Sequence, residues 1–118
     1  MEPEAKVTPI TTEDYEDMPL EGHVMSGTPN AKVHWIRTEG SGLGMLQTGL
    51  FVIQPSVCRW VFEGDETIYV IEGEVRIDFV DSGESIELRA GDIGSFSKGV
   101  DAVWTFKSQF KEFFVLSG

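Results

Sequence analysis

Histidine and cysteine are scarce in this chain: His23, His34 and Cys58 are the whole complement among 118 residues. One cysteine rules out an internal disulfide, which fits a reducing compartment. Two histidines leave few imidazoles for a transition-metal site. Basic residues are also few, nine Lys and Arg against twenty Asp and Glu, for a formal net charge of -11. A surface this negative repels nucleic acid and anionic membranes, so neither is an expected partner. The apolar runs are only a few residues long, far short of the ~20 that a membrane-spanning helix needs. The opening segment MEPEAKVTPI is acidic and lacks an apolar core, so no secretory leader is expected and the expected location is cytoplasmic.

What is present is the patterning of one all-β domain. Residues 1–43 read as an acidic N-terminal arm: the first 22 residues carry seven acids against Lys6 alone. Within the arm, Thr11–Met18 can make one short helix capped by Thr11 or Thr12, and Val33–Arg37 alternates as an edge strand would. Residues 44–118 read as the folded domain. Its expected strands are Leu46–Ile53, Cys58–Phe62, Thr67–Ile71, Val75–Val80, Ser85–Leu88, Ile93–Phe96, Ala102–Phe106 and Phe110–Leu116. Turn chemistry separates them: Glu63-Gly64-Asp65, Glu72-Gly73, Asp81-Ser82-Gly83, Ala90-Gly91-Asp92 and Ser97-Lys98-Gly99. Short strands at even spacing indicate an antiparallel barrel or sandwich.

Two stretches carry a resemblance. CRWVFEGDETIYVIEG runs from Cys58 to Gly73, and GDIGSFSKGVDAVW from Gly91 to Trp104. Together they resemble the two signature motifs of the cupin superfamily, G-x5-H-x-H-x3-4-E-x6-G and G-x5-P-x-G-x2-H-x3-N. Glu66, Gly73, Gly91 and Gly99 stand in their places, Ser97 replaces the proline, and the histidine positions hold Trp60, Phe62 and Ala102. The resemblance is to the third class of cupin domains, short single-domain cupins that include the modules of ureidoglycine aminohydrolase-like and ethanolamine-utilisation proteins. It implies a small antiparallel jelly-roll β-barrel. With the usual ligands replaced, it implies no metal and no other cofactor, since imidazoles and carboxylates must converge to hold a transition metal.

Side chains two apart on a strand share a face. On the motif alignment Trp60, Phe62, Glu66 and Ala102 point inward, as do Ile68, Val70, Trp104 and Phe106. The expected interior is an aromatic-walled cavity with one acid near its mouth, suited to a small organic ligand. The aromatic rings can equally fill the barrel as core. Desolvation would raise the pKa of Glu66 and suit it to general acid or base work; otherwise it accepts backbone hydrogen bonds or pairs with a lysine. The family pattern puts Lys111 against the barrel, as a partner for Glu66 or for a ligand carboxylate. Tyr69 and Arg59 fall out of phase and are expected outside, and Cys58 is expected to be buried.

Three functions fit these residues: a metal-free module binding a small metabolite, a metal-independent enzyme with Glu66 as acid or base, and a structural scaffold. A homodimer is expected under each, with Val33–Arg37 as a candidate pairing edge.

Overall fold

Alternation of buried and more exposed side chains runs through the strands Ser56–Val61, Asp65–Glu72, Glu74–Phe79, Asp101–Phe106 and Phe110–Ser117 of the computed structural model, which describes residues 4–42 and 44–118. Glu2 of the acidic arm and Leu43 at its boundary lie outside the described residues. The described residues form eleven strands and no helix, and no helix is long and apolar enough to cross a membrane. The strands are β1 (Glu16–Asp17), β2 (Val24–Gly27), β3 (Lys32–Arg37), β4 (Leu46–Ile53), β5 (Ser56–Val61), β6 (Asp65–Glu72), β7 (Glu74–Phe79), β8 (Ser85–Arg89), β9 (Ile93–Phe96), β10 (Asp101–Phe106) and β11 (Phe110–Ser117).

They make two antiparallel sheets, ordered β1-β3-β4-β11-β6-β9 and β2-β5-β10-β7-β8. Hydrogen-bonded ladders run within each sheet and not from one to the other, so the expected barrel is built as a two-sheet jelly roll. The inner faces supply the core, including Ile53, Val70, Ile77, Trp104 and Phe110, each at most 1% exposed. The turn after β6 needs a glycine. Gly73 has φ +81°, and a Cβ there would collide with the Gln109 carbonyl.

The segment read as an arm contributes three strands. Thr11–Met18 does not form the expected helix. Eight residues make a marginal helix alone, and this stretch finds better partners extended. Glu16 and Asp17 pair with Val33 and Lys32, Met18 N–H donates to the Ala31 carbonyl at 2.9 Å, and Asp17 pairs with Lys32 at 2.7 Å. The Gly- and Ser-containing stretch that follows supplies β2, which pairs with β5. The expected edge strand, β3, has β4 on one side and is covered on the other by β1 along Lys32 and Val33 only.

Candidate functional site

One cavity of about 240 Å³ opens between the inner faces of the two sheets. It exceeds the ~150 Å³ that accommodates benzene in an engineered core and falls below the ~300 Å³ at which drug-sized pockets begin. A ligand of a few heavy atoms fits it.

Strand register explains which side chains reach it. On the five-stranded sheet, Trp60 lies opposite Ala102 and Cys58 opposite Trp104. The Trp60 and Trp104 ring centroids are 5.3 Å apart, and Phe62 lies 6.1 Å from Trp104 and stacks on Phe96 at 5.0 Å. Across the six-stranded sheet, Trp35, Gly49, Phe114 and Ile68 form one inward row. Gly49 makes this row possible, since a Cβ would stand 2.5 Å from the His34 carbonyl and 3.1 Å from the Phe114 ring. Trp35 meets Phe114 edge-on at 5.8 Å.

The rows on either side bring in the acids. Glu66 lies opposite Leu116 and Phe96, and Glu112 opposite Val70 and Phe51. Both carboxyls line the cavity together with Glu63. Glu112 is only 4% exposed, whereas Glu66 is partly exposed. Among the described residues no ion pair or hydrogen bond engages the side chain of Glu66 or of Glu112. Burial pushes the Glu66 carboxyl up to about 7. Burial first, and then the negative charge of Glu66, raise Glu112 well above the ordinary carboxyl range. Trp104 is 1% exposed and its Nε1–H has no acceptor among the described residues.

Trp60, Phe62, Glu66 and Trp104 thus line one cavity. Ala102, fully buried, packs in the core beside them without lining it. Phe106 is likewise core, 6.0 Å from Trp104 and 5.2 Å from Phe110. Lys111 is corrected: it stands one residue out of phase with Glu112 on β11, so the pleat turns it outward. Its Nζ donates to the Ile10 carbonyl at 2.6 Å and lies 5.8 Å from the Tyr15 ring centroid. It therefore partners neither Glu66 nor anything in the cavity.

Tyr69 is 43% exposed on the outer face. Arg59 is exposed and pairs with Asp101 at 2.8 Å. Cys58 is fully buried, and desolvation raises its thiol pKa against the opposing effect of a Ser56 hydrogen bond. Glu112 escaped the sequence reading because it lies outside both motifs. Its parity with Phe110, Phe114 and Leu116 was the available signal, a charge on the apolar face of the last strand. Trp35, Met18, Leu20 and His23 also line the cavity, from the segment read as an arm.

The metal typical of cupins does not fit these residues. Its motif positions carry Trp60, Phe62 and Ala102, and His34 turns away to face the Asp14 carbonyl at 2.6 Å. His23 reaches the cavity rim with Nδ1 facing the Arg59 carbonyl at 3.2 Å. Among the described residues no group of three or more His, Cys, Asp or Glu is arranged to hold a metal ion.

Comparison with solved structures returns the same architecture. A putative ethanolamine utilization protein Q from Salmonella typhimurium LT2 superposes with a TM-score of 0.62 at 21% identity, over 73% of this chain and 68% of that one. The Clostridium difficile EutQ protein gives 0.65 at 18% identity, over 75% and 68%. A Pseudomonas syringae pv. tomato protein of unknown function from the DUF861 family gives 0.78 at 17%, over 92% of this chain and 46% of that one. These likenesses establish the fold alone. No curated protein matches the chain. The family model described as the EutQ-like cupin domain matches residues 40–114, and the chain belongs to that family of cupins.

Proposed function

We propose that this protein is a metal-free cupin that binds a small organic metabolite between its two sheets. The observation that carries the reading is the cavity itself: Trp60, Phe62, Trp104 and Trp35 wall a space of about 240 Å³ into which two unpartnered carboxyls project. A filled core would not retain the Glu112 carboxyl, 4% exposed and without an ion pair among the described residues, because its burial costs free energy until something meets it. The solved relatives, at 17–21% identity, contribute the fold and no substrate.

Tryptophan fluorescence during a screen of small metabolites tests this. A binder quenches or shifts the emission saturably, and Trp60→Ala and Trp104→Ala abolish the response. If no metabolite moves the emission and both variants merely lose stability, the rings are core and the reading fails.

A catalytic version has one observation in its favour. Glu66 is pushed up to about 7 beside a second raised carboxyl, and paired carboxyls held apart in pKa are suited to acid–base exchange. Glu66→Gln separates the two: turnover of a candidate substrate collapses if Glu66 moves a proton, whereas a binding module loses affinity alone.

We further propose that the protein is a homodimer. Tyr69 and Ile93 pair across β6 and β9 on the outer face and are 43% and 70% exposed. Phe113 continues that row on β11, so an apolar strip crosses the sheet where a second copy can cover it.

A further inference from the structure

We infer that the ligand taken by this cavity is a small organic cation, an ammonium or amidinium group on a compact apolar frame. This deepens the binding function proposed above and rests on it.

The charge of the lining is one-sided. Three glutamates, Glu63, Glu66 and Glu112, border the cavity, and neither Lys nor Arg does. Lys111, next to Glu112 along the chain, is turned to the outer surface and engaged by the Ile10 carbonyl. His23 is the one other titratable side chain on the lining, and its Nδ1 faces the Arg59 carbonyl. Glu112, 4% exposed and with no side-chain ion pair or hydrogen bond among the described residues, therefore lacks the cation that would let a buried carboxyl ionise, and a bound ammonium would supply it.

The second observation is independent of the acids. The rings of Trp60 and Phe62, whose centroids lie 5.3 and 6.1 Å from that of Trp104 along this wall, provide the electron-rich surface that attracts a desolvated cation. The chain's net charge of -11 adds a field that draws cations and repels carboxylates and phosphates.

Three probes sharing one carbon frame test the charge class: isobutylammonium, isobutanol and isobutyrate, titrated at neutral pH and followed by tryptophan emission and by calorimetry. The ammonium is expected to bind at least ~10-fold more tightly than the alcohol, and isobutyrate not to bind. Glu112→Gln, checked for folding by its melting transition, should lower ammonium affinity by about 10-fold and leave the alcohol within about twofold. Isobutanol or isobutyrate binding as well as the ammonium would overturn the cation assignment and leave the pocket standing. Silence from all three probes and from the metabolite screen would overturn both. Should Glu112→Gln fail to fold, Glu66→Gln takes its place, and unchanged ammonium affinity there sinks the proposal.

Discussion

Glu66 and Glu112 stand on neighbouring antiparallel strands and project into one cavity, with the Phe114–Ile68 pair between the levels they occupy. Among the described residues neither side chain has an ion pair. In the ligand-free protein this arrangement stores an electrostatic cost that depends on pH.

Both groups have raised pKa values, so the folded state holds protons that the unfolded state gives up. Below the ordinary carboxyl value both states are protonated and nothing is lost. As pH rises from 4.5 to about 7, the unfolded chain ionises Glu66 freely while the folded chain resists. Unfolding free energy therefore falls across that window, by at most about 3 kcal/mol and less where solvent at the cavity mouth screens the charge. Glu112 extends the decline to higher pH. Asp17, Asp78 and Asp101, lowered chiefly by hydrogen bonds from Lys32, Ser85 and Arg59, act in the opposite sense and remove stability only on further acidification. Urea midpoints should thus rise from pH 8 to pH 5, and the double variant Glu66→Gln/Glu112→Gln should flatten that slope. An unchanged slope in the double variant would place the pH dependence elsewhere.

Trp104 separates packing from hydrogen bonding. Trp104→Ala should cost about 3–5 kcal/mol of stability, the usual range for emptying a large aromatic site. Trp104→Phe should cost far less, about 1–2 kcal/mol, because it also removes a buried donor that has no acceptor. Chemical denaturation of the two variants supplies both readings.

How far the sequence disclosed this site depends on the length scale of each signal. Strand alternation is local, so the inward faces of Trp60, Glu66 and Trp104 could be read from parity, and the bounds Leu46–Ile53 and Ile93–Phe96 coincide with β4 and β9. Lys111 and Glu112 are neighbours, and a pattern borrowed from relatives placed weight on Lys111, while parity with Phe110 put Glu112 on the inner face. The arm was least legible. Glu16 and Asp17 have no strand pattern of their own, and their conformation is set by Lys32 and Val33, fifteen or more residues away. Pairing over such separations leaves no periodic trace.

Gly49 shows a constraint of another kind. It sits inside β4, where glycine ordinarily weakens a strand, yet its missing side chain lets the His34 backbone and the Phe114 ring approach. Gly49→Ala should destabilise the protein by about 1–3 kcal/mol through overpacking. It should also disturb the Trp35–Phe114 contact, 5.8 Å between ring centroids, and with it the cavity wall. Gly42, whose surroundings are open, is the control: Gly42→Ala should stay within about 0.5 kcal/mol of the parent. Equal effects at the two sites would show that the close approach at Gly49 relaxes without cost.

The outer sheet face gives the last prediction. Tyr69 and Ile93 are cross-strand partners with large exposed apolar surfaces, an arrangement that water disfavours unless a partner covers it. In light scattering coupled to size exclusion, the protein should elute at twice its 13.1 kDa chain mass. Tyr69→Lys/Ile93→Lys should return it to the monomer, since two added charges on each copy would face each other across the proposed contact. These side chains point away from the cavity, so ligand response should survive in the variant. A wild-type protein that elutes as a monomer would refute the dimer while leaving the cavity chemistry intact, because none of the cavity's walls would then depend on a second chain.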